Sequence, residues 1–109
     1  MPQVPARAVF AKRLKDARAL TGVSQRALGD SLGLGKRVGS TRINRYEQQV
    51  AQCDMDTAAK IAKELGVPLA YLFAESDDLA EMILAFSKLS KAKRNKVIAE
   101  ITKAAEQGT

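Results

Sequence analysis

The stretch SQRALGDSLGLGKRVGSTRINRYEQQ, residues 24–49, decides how this chain folds. Ser24 stands where a helix N-cap belongs, and Leu28 and Leu32 share one face of the short segment that follows, with Gly33 as its stop. GLGKRVG, rich in glycine, is expected to be a loop, after which Ser40 is expected to cap a third helix running through STRINRYEQQ. At 100° per residue Ile43, Tyr46, Glu47 and Val50 cluster in about one quadrant and form its inward face. Thr41, Arg45 and Gln48 then point away from the core, flanked by Arg42 and Asn44. That outer face carries no acid and suits the major groove, where Arg takes guanine O6 and N7, Asn or Gln takes adenine N6 and N7, and Thr meets a thymine methyl. The same pattern also describes a merely solvated helix face.

Outward from this stretch the pattern stays helical. Phe10, Leu14 and Ala17 recur on one face of a first amphipathic helix from Ala6 to Leu20, ended at Gly22. Asp54 can cap a fourth helix with Ala58, Ile61, Ala62 and Leu65 inward, and Pro68 sits in the first turn of a short fifth, PLAYLF. Ser76 is expected to cap DDLAEMILAFSKL, whose Asp77 and Asp78 suit the positive end of the helix dipole. A last segment, KAKRNKVIAEITKAAEQG, puts Val97, Ile98, Ile101 and Ala105 on one side. No strand pattern occurs. The expected fold is all-α: a five-helix unit over residues 6–74 and two further helices over residues 75–109.

The chain has 109 residues, one domain's worth, with 18 Lys+Arg against 12 Asp+Glu. Residues 1–47 hold ten basic and three acidic side chains, and the rest hold eight and nine. A basic half joined to a balanced half suggests a working surface for a polyanion such as double-stranded DNA, although a solvated face accounts for a charge run equally well. With no His, no Trp and a single Cys53, the chain lacks the parts of a Ser/His/Asp triad, a Cys/His dyad or a structural zinc cluster. An enzyme is not expected, nor a cofactor, a metal or a small-molecule ligand. One cysteine forms no internal disulfide, no apolar run is long enough to span a membrane, and charges interrupt the N-terminal MPQVPARAVFAKRLK, so a cytoplasmic protein is expected.

The order of SQRALGDSLG, TRINRYE, an aspartate-capped helix and KELGVPLAYLF resembles the phage-repressor and Cro type of helix-turn-helix family, the xenobiotic response element regulators, from about Phe10 to Phe73. The resemblance implies a lambda-repressor-like five-helix DNA-binding domain with its third helix in the major groove. It implies that Gln25 contacts phosphate, that Ser40, Thr41, Asn44 and Arg45 face bases, and that Arg18 pairs with Glu47 to brace the recognition helix; Gln48, outward at 100° per residue, is expected at bases with them. Arg26, Lys36, Arg37 and Arg42 are expected at phosphates. Twelve residues lie between Leu32-Gly33 and Tyr46-Glu47 where the family's common pattern has eight, which is similar to a prophage-associated subset with a longer turn. Gln49 stands where the family often has a helix-ending glycine, and Cys53 where it has a proline. Cys53 is expected to be a small, buried or half-buried filler.

Such a regulator gains specificity by pairing two domains on a palindrome. Leu79, Met82, Ile83, Phe86, Leu89, Val97, Ile98 and Ile101 are candidates for a homodimer surface; alternatively they cover the chain's own first helix. The resulting expectation is a sequence-specific transcription regulator, most simply a repressor. An antitoxin-like module that binds a protein and autoregulates through DNA is the alternative.

Overall fold

The computed structural model describes residues 4–108; the side chain of Lys36, and with it the expected phosphate contact there, lies outside the described residues. It has six α-helices and one 3-10 turn and, among the described residues, no strand, in agreement with the all-α expectation. The helices are α1 (Ala6–Thr21), α2 (Gln25–Ser31), α3 (Lys36–Glu47), α4 (Met55–Leu65), α5 (Asp77–Ser87) and α6 (Lys91–Glu106), with the 3-10 turn Leu69–Phe73 between α4 and α5. No helix among the described residues is long and apolar enough to cross a membrane.

Local chemistry sets most boundaries. Ser24 Oγ accepts the Ala27 N–H, Asp54 the Thr57 N–H, Ser76 the Leu79 N–H and Ser90 the Lys93 N–H, each satisfying an orphan donor of the helix it starts. Pro68 stands just before the 3-10 turn rather than inside it. The Asp54 and Asp78 carboxyls are held below the usual range by hydrogen bonds at these helix starts, from the Thr57 and Ser76 hydroxyls first.

The core lies where α1, α3, α4 and the 3-10 turn meet over α2. Leu14, Leu28, Ile43, Ile61 and Leu72 are its largest fully buried side chains, each contributing about 1.5–3 kcal/mol by burial. Phe10 packs edge-on against Tyr46 and tilted against Phe73, joining α1 to α3 and to the 3-10 turn. Arg13, also on α1, is buried: its Nε donates to the Ala74 carbonyl at 2.9 Å, its Nη1 lies 3.1 Å from Asp77, and its guanidinium lies over the Tyr71 ring. Lys12 Nζ donates to Asp77 at 2.8 Å, so the two cations together fasten the start of α5 to α1 and hold the Asp77 carboxyl below its ordinary range.

Three expectations are corrected. Lys36–Gly39 is helix, not loop, so α3 begins a turn early and Ser40 lies inside it instead of capping it. The cause is a close crossing. A Cβ on Gly39 would lie 2.6 Å from the backbone carbonyl of Gly29, so Gly39 is there to let α2 and α3 touch, not to bend the chain. The turn before it is made at Gly33 and Gly35, both at positive φ. Finally, α3 ends at Glu47, Gln49 takes the left-handed φ of 62°, and Val50 points to solvent at 61% exposure instead of continuing the inward face.

The tail leaves the core progressively. Ala80 of α5 is buried, with Ile83 and Leu84 packed beside it on the core. α6 buries none of its residues. The radius of gyration is 16.0 Å, above the roughly 13 Å of a compact domain of this length, because α6 projects. Its direction is set by Arg94, whose Nε donates to the Phe86 carbonyl and Nη2 to the Ser87 carbonyl at 2.7 Å, capping the end of α5 while the guanidinium covers the Phe86 ring.

Candidate nucleic-acid interface

α2 and α3 form a closely packed pair whose outer surface is α3. Their closeness comes from Gly29 and Gly39, and their relative rotation is held by a polar chain at the other end of α3. Glu47, only 3% exposed, accepts Arg18 Nε on Oε2 at 2.6 Å and Arg18 Nη2 on Oε1 at 2.8 Å, a two-pronged ion pair from α1 to α3. Arg18 Nη1 also donates to the Val23 carbonyl, which anchors the α1–α2 turn to the same group. The Glu47 carboxylate raises the Arg18 guanidinium above its ordinary pKa, first through this hydrogen bond. Gln25, the first residue of α2, donates its amide to Glu47 Oε1 at 3.1 Å and to Asn44 Oδ1 at 3.2 Å. The buried pair thereby orients Gln25, and Gln25 orients Asn44 at the surface.

On the free side of α3, Arg37, Val38, Thr41, Arg42, Asn44 and Arg45 are exposed, and Gln48, at the helix C-cap, is exposed too. Ser40 is half-buried beside Gly29. Arg26 is exposed on α2 and Gln25 half-buried. Arg37, Thr41, Arg42 and Arg45 share one shallow groove of about 590 Å³ with Val38, Tyr46, Ala51, Gln52 and Asp54. Val38 and Gln52 line it without being legible as base- or phosphate-facing residues in the sequence. Val38 becomes visible as a surface residue only once α3 is continued back to Lys36, and Gln52 lies on the α3–α4 loop, where periodicity says nothing about direction. Asp54 is the acid at the groove edge, and its carboxylate is occupied at the start of α4. The groove is thus lined by three arginines around polar and small apolar groups, a chemistry suited to a hydrogen-bonding polyanion.

Cys53, half-buried behind this loop, has its thiol pushed up to about 11, first by burial and then by Asp54. It is held as a neutral thiol, as a filler would be.

The candidate dimer residues separate into two groups. Ile83 packs on the chain's own core, and Phe86 and Val97 are half-buried. Leu79, Met82, Ile98 and Ile101 are 46–50% exposed. Met82, Ile83 and Phe86 also line an apolar groove of about 580 Å³ with Pro68, Ala70, Ser87 and Arg94.

Residues 14–72, more than half of the chain, match the family model described as Helix-turn-helix. No curated protein matches the chain. Among solved structures, it is similar to the crystal structure of the transcriptional regulator BswR, at 37% identity and a TM-score of 0.82, with 90% of this chain and 98% of that chain covered. On its helix order, its α2–α3 crossing and this match, the chain belongs to the helix-turn-helix family.

Proposed function

We propose that this protein is a transcription repressor that binds a palindromic operator as a homodimer, with α3 in the major groove of each half-site. That it is a DNA-binding regulator follows from its helix-turn-helix family and its similarity to a transcriptional regulator over nearly the whole chain. The observation that carries the finer reading is the free face of α3: exposed Thr41, Asn44 and Arg45, with Gln48 at its end, on a helix immobilised from behind by Arg18, Glu47 and the glycine crossing. Arg26, Arg42 and Gln25 flank it and serve the phosphates, as Lys36 does in the sequence pattern. The four extra residues between Gly33 and Tyr46, which lengthen α3 at its start, support placing the protein among the phage-repressor-like, prophage-associated regulators. Such a protein works in the cytoplasm.

Dimerisation is supported by α6, none of whose residues is fully buried in the single chain, and by the exposed Leu79, Met82, Ile98 and Ile101, of which Met82 lines the apolar groove. Selection of bound duplexes from a random pool at moderate salt tests the whole reading. A palindrome with half-site centres about 34–36 Å apart, or a multiple of that, is expected. Sedimentation should show a dimer that Ile98→Asp with Ile101→Asp turns into a monomer. A single asymmetric half-site, or no enriched sequence, refutes the proposal. The same unburied α6 also fits an antitoxin-like protein that holds a second protein, and a stoichiometric partner retained through purification would favour that reading.

A further inference from the structure

The extra turn at the start of α3 changes which side chains face outward. Continuing the helix from Ser40 back to Lys36 adds two described side chains to the surface, Arg37 and Val38, and Val38 is 55% exposed. With outward defined as opposite the buried Gly39, Ile43, Tyr46 and Glu47, the positions of Arg37, Val38, Thr41, Arg45 and Gln48 all fall within about 60° of it at 100° per residue. Ser40 falls roughly 100° away, on the flank that meets α2. Arg37, Val38, Thr41 and Arg45 line one groove.

Resting on the placement of α3 in the major groove, we propose that Arg37 and Val38 read bases, Arg37 a guanine and Val38 a thymine, while Ser40 serves the α2–α3 contact. The first turn of a recognition helix is the part that meets base edges. Arg37 there can donate two hydrogen bonds to guanine O6 and N7. Val38 has no donor, so a phosphate offers it nothing; the apolar group that the major groove presents is the thymine C5 methyl. Phosphates are left to Arg26 on α2 and Arg42 on the α3 flank, both exposed.

The test is a set of sequence selections with the full chain and its variants Val38→Ala and Arg37→Ala, followed by binding to the selected site with single thymines replaced by deoxyuridine. Both variants sit at exposed helical positions and introduce the best helix former, so each should fold, which circular dichroism checks before binding is measured. Removing one particular methyl should weaken the unaltered chain about three- to five-fold and leave Val38→Ala unaffected. Arg37→Ala should lose preference at one guanine and bind that site about ten-fold or more weakly. If both variants weaken every sequence alike and the preferred bases stay the same, the two residues touch the backbone and the inference is overturned; one unchanged column overturns the assignment of its residue. An unaltered chain that selects no sequence removes the major-groove placement itself, a separate failure that takes this inference with it.

Discussion

Gly29 and Gly39 face each other across the α2–α3 crossing with no space for a side chain on either, and a Cβ on Gly39 would lie 2.6 Å from both the carbonyl carbon and the carbonyl oxygen of Gly29. Both neighbours are backbone, so neither can swing aside. The pair sets how deeply the two helices nest and therefore how α3 is presented.

Gly39→Ala should destabilise the fold by about 1–3 kcal/mol despite alanine's better helix propensity, because the helices must separate. DNA affinity should fall further than stability does, since α3 is displaced as a body. Denaturant titration with a parallel binding titration checks this. A variant as stable as the original would mean that the crossing is not this tight.

Breaking the ion pair that orients α3 should be more severe. Arg18→Ala leaves the Glu47 carboxylate buried with only the Gln25 amide, at a cost of about 3 kcal/mol. Replacing both, with Arg18→Met and Glu47→Leu, should recover most of that stability, because no charge remains buried. Equal losses in the single and the double variant would contradict this account.

Gln49 occupies a left-handed conformation at φ 62°, which costs a side-chain-bearing residue about 1 kcal/mol or more. Gln49→Gly should therefore raise the stability by roughly 0.5–1 kcal/mol, read as a shift of the urea midpoint at constant slope. A fall in midpoint would show that Gln49 makes contacts that outweigh its backbone strain.

Cys53 predicts a pH effect of defined sign. Its folded pKa is raised from 9.0 to about 11, so the stability its neutral form contributes is complete below pH 9 and is lost as pH rises towards about 11. Cys53→Ser should flatten the decline in that window. At pH 8 the native thiol should also react with an alkylating reagent far more slowly than the urea-unfolded chain. Equal rates would place the thiol in open solvent.

On DNA, Arg45 and Gln25 should behave differently. Arg45→Ala is expected to relax preference at one base pair at a cost of about 1–3 kcal/mol. Gln25→Ala should weaken all sites, because it removes a flank contact and at the same time frees Asn44. Binding measured over a panel of single-base variants of the selected site separates the two patterns.

Whatever depends on near neighbours is legible in the residues alone. The capping roles of Ser24, Asp54 and Ser76, and the buried positions Phe10, Leu14, Leu28, Ile43 and Ile61, follow from hydrogen bonds three residues away and from a period of one turn. Whatever depends on residues distant in the chain emerges only on folding. Gly39 looks like a loop residue until Gly29 is placed against it, and only then do Lys36–Gly39 become helix and Val38 a surface residue. Periodicity assigns no partner to Arg13, Lys12 or Arg94; folding brings Ala74 and Asp77 to the first two and the end of α5 to the third. A glycine or a long cation has little local preference, so its role is set by whatever the folded chain brings beside it.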